Sequence, residues 1–263
     1  MVRVHLRELE KFIMTMYDRL LIIDTETGGL DADNDAILEI AGLVWQRIPG
    51  GPISGGPGRV LGSFRYAVSD PTGDVSDEAL AINGIDMATH KGQNPKIVMG
   101  GIRDFIEQVY YENGEYHPAD DFGVVLGGHN TQFDVGFLKR LFLLSGLTVK
   151  GRDSDYEKMF SHRLLDTCGI VRYLVLAGVL PLKGASSKEA FEHYGVYPEA
   201  AHSALADAEA TAKLLDCLIG EQITNHHEHK IVSDTDSYRP GGPTRTREQI
   251  EAVVHKVKND ATS

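Results

Sequence analysis

The stretch Leu21-Ile22-Ile23-Asp24-Thr25-Glu26-Thr27-Gly28-Gly29-Leu30-Asp31 (LIIDTETGGLD, residues 21–31) decides how this chain is read. Three aliphatic residues run straight into Asp24, and Glu26 follows two positions later. A buried strand that ends in two carboxylates needs a reason, because an isolated buried carboxylate is costly unless paired, hydrogen-bonded or bound to metal. Residues i and i+2 of an extended chain point to one face, so Asp24 and Glu26 are expected to present both acids together at the end of a first strand, residues 20–25. The glycines of "TGG" supply a tight turn where backbone can approach a ligand closely.

Working outward, "AILEIAGLVWQ" (36–46) reads as a second strand. The Gly/Pro-dense run at 47–60 reads as a long loop, and residues 60–68 as a third strand, giving an antiparallel meander. Helices are expected over 76–84, with Ser76 as cap, and over 95–111. A short apolar strand at 122–130 leads to a helix over 132–145, then a strand passing into a helix at 162–178. Two more helices follow, at 186–195 and at 202–220, the second ending at Gly220. Apolar positions at helical spacing mark residues 2–16 as an amphipathic helix, or as an appendage if translation begins at Met14 or Met16. Past 220 the chain turns polar and carries His226, His227 and His229, with a last helical stretch at 246–259. The organisation expected is an appendage (1–19), one α/β domain (20–220) and a polar tail (221–263), the domain being a mixed sheet flanked by helices.

With 263 residues the chain suffices for one sizeable α/β domain, and its net charge of −12 argues against a broad basic surface gripping duplex nucleic acid. The two cysteines, Cys168 and Cys217, have no metal-ligand spacing and fit reduced thiols. No apolar run reaches the roughly 18 residues of a membrane span. The N-terminus is charged throughout, with no apolar signal core. A soluble, cytoplasmic protein is the expectation.

Asp24 and Glu26 have company. "GHNTQFDVGFL" (128–138) places Asp134 near the start of a helix just after a strand, with Asn130 available to satisfy backbone groups at the junction. "HSALADAEATAKLL" (202–215) places Asp207 one turn into a helix, five residues after His202. Alone, each residue is ordinary: a solvated strand end, an acid in a first helical turn, a structural histidine. Together they offer four carboxylates from three segments, which repel one another unless cations neutralise them. Oxygen-only ligation points to Mg²⁺ or Mn²⁺. Two such ions can clamp the attacking and leaving oxygens of a phosphodiester displacement, and a histidine suits proton removal from the attacking water.

In "DTETGGL", "HNTQFDVGFL" and "HSALADAEATAKLL" the chain resembles the DEDD exonucleases, in the histidine-bearing DEDDh (DnaQ-like) branch. The resemblance covers about residues 20–218 and includes "NDAILEIAGL", "EALAINGID" and "LLDTCGIVRYL". It implies a ribonuclease H-like fold and 3′→5′ exonuclease chemistry with two Mg²⁺, for which Mn²⁺ substitutes. Asp24, Glu26, Asp134 and Asp207 resemble the metal ligands and His202 the general base. Thr25, Thr27, Leu30, Ile82 and Asn130 stand where relatives meet or support the terminal nucleotides. The chain falls between the ribonuclease T group and the proofreading epsilon subunits of bacterial DNA polymerase III. Leu30 and Ile82 replace stacking phenylalanines of the former, which tilts the expected substrate toward a single-stranded or frayed DNA 3′ end rather than RNA. The terminal segments are candidate docking elements for a polymerase or repair partner, and a homodimer stays open.

Overall fold

The computed structural model describes residues 17–48, 58–114, 123–198 and 203–235, with 222–235 described as backbone only. The expected helices at 2–16 and 246–259, His202, and the greater parts of the 47–60 and 112–121 loops lie outside the described residues.

Five strands form one mixed sheet. They are β1 (Arg19–Thr27), β2 (Ile37–Arg47), β3 (Gly58–Ala67), β4 (Val124–Gly128) and β5 (Phe160–Asp166), in the order β3-β2-β1-β4-β5. The β1–β2 and β2–β3 pairings are antiparallel, and β4 joins β1 and β5 in parallel. This is the expected meander with parallel strands added on one side. The helices are α1 (Asp77–Asn83), α2 (Pro95–Phe105), α3 (Thr131–Leu144), α4 (Asp155–Met159), α5 (Thr167–Leu176), α6 (Ser187–Tyr194) and α7 (Ala204–Thr235). Among the described residues no helix is long and apolar enough to cross a membrane.

The central strand β1 explains the layering. Leu20, Leu21, Ile22 and Ile23 are all buried, as in a strand covered on both faces. Leu21 and Ile23 pack with Val98 and Ile102 of α2 and Val135, Phe137 and Leu138 of α3. Leu20 and Ile22 pack with Leu43, Trp45 and the α7 residues Ala208, Ala212 and Leu215. The small side chains of Ala204, Ala208 and Ala212 are buried, which lets α7 lie close on the sheet. The two-residue period of β1 therefore assigns one face to α7 and the other to α2 and α3.

Three expectations change. The helix expected to end at Gly220 runs on to Thr235, because a single glycine costs only about 1 kcal/mol in a helix and good helix formers flank it. The helix expected over 95–111 is α-helical only to Phe105; residues 106–110 form a π-helical turn. Tyr110, at the end of that turn, donates its hydroxyl to the Arg19 carbonyl and accepts from the Val125 N–H, stitching β1 to β4. Finally, Gly28 and Gly29 approach the protein's own backbone and side chains. A Cβ at Gly28 would meet the Asp74 carbonyl oxygen at 2.3 Å, and one at Gly29 the Asp35 carboxylate at 2.2 Å. The turn after β1 is thus closed by the 70–76 segment, with Gly28 N–H donating to Ala36 and Ser76 N–H to Gly28.

Candidate active site

The alternation of β1 carries past its apolar run. Asp24 and Glu26 continue the face of Leu20 and Ile22, toward α7, while Thr25 continues the face of Ile23, toward α3. Asp207, in the first turn of α7, meets the two strand-end acids: one carboxylate oxygen from each of Asp24, Glu26 and Asp207 lies within 4.8 Å of the others. Three residues far apart in sequence thus place three anionic oxygens around one point.

Asp134 approaches from the other face. Buried in the first turn of α3, it accepts a hydrogen bond from Thr25 Oγ1 at 2.8 Å. It stands outside the group of three but close enough for its charge to act on Asp24 and Glu26.

Electrostatics follow from this crowding. Burial, then the charges of Asp134, Asp207, Glu26 and Glu39, push the Asp24 carboxyl well above its usual range. Burial, then Asp207, Glu39 and Asp134, raise Glu26 to about 8, opposed by Arg65. Burial raises Asp134 to about 7, against the hydrogen bonds that Thr25 gives it. A cluster that holds protons this tightly is one that a cation would relieve. An all-carboxylate donor set fits a hard divalent ion.

The other expected site residues are spread around this centre. Thr27 is buried and donates its hydroxyl to the Gly29 carbonyl at 2.6 Å. The hydroxyl protons of Thr25 and Thr27 are thus both given within the protein. Leu30 and Ile82 are 87% and 66% exposed. Asn83, next to Ile82, is buried and donates to the Thr27 carbonyl at 3.0 Å, so α1 is pinned to the turn that carries Leu30. Asn130 makes no side-chain cap; it sits in the left-handed region at φ 66° and its N–H donates to Asp166 Oδ1 at 2.7 Å. The expected role for its side chain at the strand–helix junction is taken by that backbone geometry, which asparagine tolerates better than most residues.

Four contributors had no role assigned from the sequence. Glu39 faces Glu26 across the β1–β2 ladder, and Arg65 binds it from β3. His129 lies between Ala185 O, 2.9 Å from Nε2, and Thr167 Oγ1, 3.0 Å from Nδ1, tying the end of β4 to α5 and to the loop before α6. Asp166 accepts from both Asn130 N–H and Cys168 N–H, joining the starts of α3 and α5. Nothing in the sequence singled them out, because their partners depend on strand register and on how distant segments meet. A cleft of about 330 Å³ opens beside Asp24 and Asp207, walled by His129, Lys188, Phe191 and Tyr197.

No protein-family model matches the chain. It is 29% identical over 205 residues to ribonuclease T of Shewanella frigidimarina, covering 76% of this chain and 80% of that one. It is 27% identical over 234 residues to the PolC-type DNA polymerase III of Oceanobacillus iheyensis, covering 86% of this chain but only 13% of the polymerase. The chain therefore spans a small part of the PolC-type relatives it matches. Among solved structures, exonuclease I of E. coli in complex with a dT13 oligonucleotide superposes with a TM-score of 0.57 at 16% identity, covering 82% of this chain and 46% of that one. The product-bound form of exonuclease I gives 0.55 at 15% identity. The fold is ribonuclease H-like.

Proposed function

We propose, for this member of the DEDDh exonuclease family, metal-dependent hydrolysis of phosphodiester bonds one nucleotide at a time from the 3′ end of nucleic acid. The single observation that carries the reading is the convergence of Asp24, Glu26 and Asp207 on one point, with Asp134 behind them. The relatives supply the rest of the support: ribonuclease T and a PolC-type polymerase by sequence, exonuclease I by fold.

Asp24, Glu26 and Asp207 are the proposed ligands, with Asp134 completing the set, and two Mg²⁺ are the proposed ions. When bound, such ions supply Lewis-acid stabilisation to the attacking and leaving oxygens. The chain's own residues do the remainder. β1 holds Asp24 and Glu26 on a rigid strand, and Thr25 keeps Asp134 oriented and favours its ionised form. Leu30 and Ile82 offer apolar contact to the last bases, positioned by the Asn83–Thr27 and Ser76–Gly28 hydrogen bonds. We assign the general base to His202, two residues ahead of α7, on its spacing from Asp207.

Single-stranded or frayed DNA is the favoured substrate, supported by the aliphatic Leu30 and Ile82 where ribonuclease T-like sites stack aromatic rings. RNA 3′-end trimming is the second reading, favoured by the 80% coverage of a ribonuclease T. The PolC-type relatives support a polymerase or repair partner, and two free cysteines support a cytoplasmic setting. A side-by-side assay on single-stranded DNA, 3′-overhang duplex, mismatched primer and RNA tests the assignment. DNA ends consumed faster than RNA support it; RNA consumed faster replaces DNA with RNA as substrate. No product from any of the four removes the activity itself.

A further inference from the structure

Glu39 stands directly opposite Glu26 in the antiparallel β1–β2 pairing, and it is buried. Like charges facing across a ladder repel, so a carboxylate there works against its neighbour unless it does something else. Its two oxygens have separate partners. Oε1 accepts the backbone N–H of Ala204 at 3.0 Å, and Oε2 accepts Arg65 at 2.8 Å. Ala204 is the first residue of α7, and Asp207 lies three residues further on. Helix starts leave backbone N–H groups without intrahelical partners, and an anion is the favoured group to receive them.

We infer that Glu39 is a positioning residue: it clamps the first turn of α7 to the sheet and so fixes Asp207 against Asp24 and Glu26. Arg65 offsets the charge that this clamp brings beside Glu26. The inference rests on the exonuclease reading above and adds to it the element that registers the helix-borne acid against the strand-borne pair.

Three variants of the full chain separate clamp from charge. Glu39→Gln keeps an oxygen for the Ala204 N–H and removes the charge. Glu39→Asp keeps the charge but is one methylene too short to hold that bond. Glu39→Ala removes both. Mn²⁺ affinity by calorimetry and steady-state cleavage of single-stranded DNA at saturating Mn²⁺ are the readouts, at a temperature where circular dichroism shows each variant folded. Glu39→Asp and Glu39→Ala are expected to bind Mn²⁺ about tenfold more weakly and to lose at least about tenfold in kcat, the scale of losses from residues that orient metal ligands. KM for DNA should stay within about twofold, and Glu39→Gln should stay within about threefold of wild type in both readouts. Should Glu39→Ala fail to fold, the contrast between Gln and Asp carries the test alone. Wild-type behaviour from Glu39→Asp, or a loss in Glu39→Gln as large as in Glu39→Asp, overturns the clamp. An inactive wild type would instead remove the exonuclease reading, while the Mn²⁺ comparison still decides for or against the clamp.

Discussion

Thr25 Oγ1 donates to Asp134 Oδ1 at 2.8 Å, so the residue between the two strand-end acids reaches through the opposite face of the sheet to hold a third. Thr25→Val keeps the shape and removes the hydroxyl. Burial already raises Asp134 to about 7, and the Thr25 bonds oppose that rise. Without the hydroxyl the Asp134 value climbs further, and the acid limb of the pH–rate profile should move to higher pH. Activity near neutrality should fall by about 10- to 100-fold, the range for groups that orient a ligand shell. Thr25→Ser should restore both. A Val variant with an unshifted profile would show that the bond carries no catalytic weight.

The metal-free protein should lose stability as pH rises. Asp24 is held well above its ordinary value, Glu26 at about 8 and Asp134 at about 7, all higher than in an unfolded chain. Between the unfolded value near about 4 and these folded values the native state binds more protons than the unfolded one, so stability falls with each unit of pH. Thermal melts in EDTA should therefore give a lower Tm at pH 9 than at pH 6. Mg²⁺ at about a hundred times its Kd should add about 2.7 kcal/mol and shrink that difference. Equal melting at both pH values in EDTA would contradict the raised values.

Leu30 and Ile82 are exposed, so their replacement should leave folding alone and alter substrate binding. Leu30→Ala and Ile82→Ala should each raise KM for single-stranded DNA several-fold with kcat little changed. Leu30→Phe should lower KM, since stacking on a base is worth about 1–3 kcal/mol. Fluorescence anisotropy with a 3′-labelled oligonucleotide and Ca²⁺ in place of Mg²⁺ measures binding without turnover. Affinities identical among the three variants and wild type would place the terminal bases elsewhere.

His202→Ala should lose about 10²- to 10⁴-fold in turnover, the usual contribution of a positioned base, while keeping Mn²⁺ and DNA affinity. The remaining activity should no longer rise through the histidine range of pH. A variant that keeps wild-type turnover across pH would move the base to another residue.

Much of this was legible in the chain itself, for a physical reason. The apolar run of β1 fixes a strand, and the two-residue period then fixes where Asp24 and Glu26 point. Asp134 and Asp207, ordinary alone, became legible in company with Asp24 and Glu26, each standing in the first turn of a helix that follows a strand or loop. What stayed hidden depends on register. Glu39 is one acid among many until pairing puts it opposite Glu26 and beside the start of α7. The purpose of Gly28 also appears only when the 70–76 segment closes on it. Arg140, to which the sequence assigned no role, binds Asp70 together with the carbonyls of Ala32 and Asp33, holding the loop beyond Leu30.

The central claim is that Asp24, Glu26 and Asp207 form a metal site that cuts nucleic acid from its 3′ end. Single-stranded DNA labelled at its 5′ end, incubated with Mg²⁺ and either wild type or Asp24→Asn, tests it most directly. The prediction is a ladder of labelled products shortening from the 3′ end with wild type, abolished by EDTA and lost in Asp24→Asn. An intact oligonucleotide with wild type, or a ladder that persists in Asp24→Asn, would contradict it.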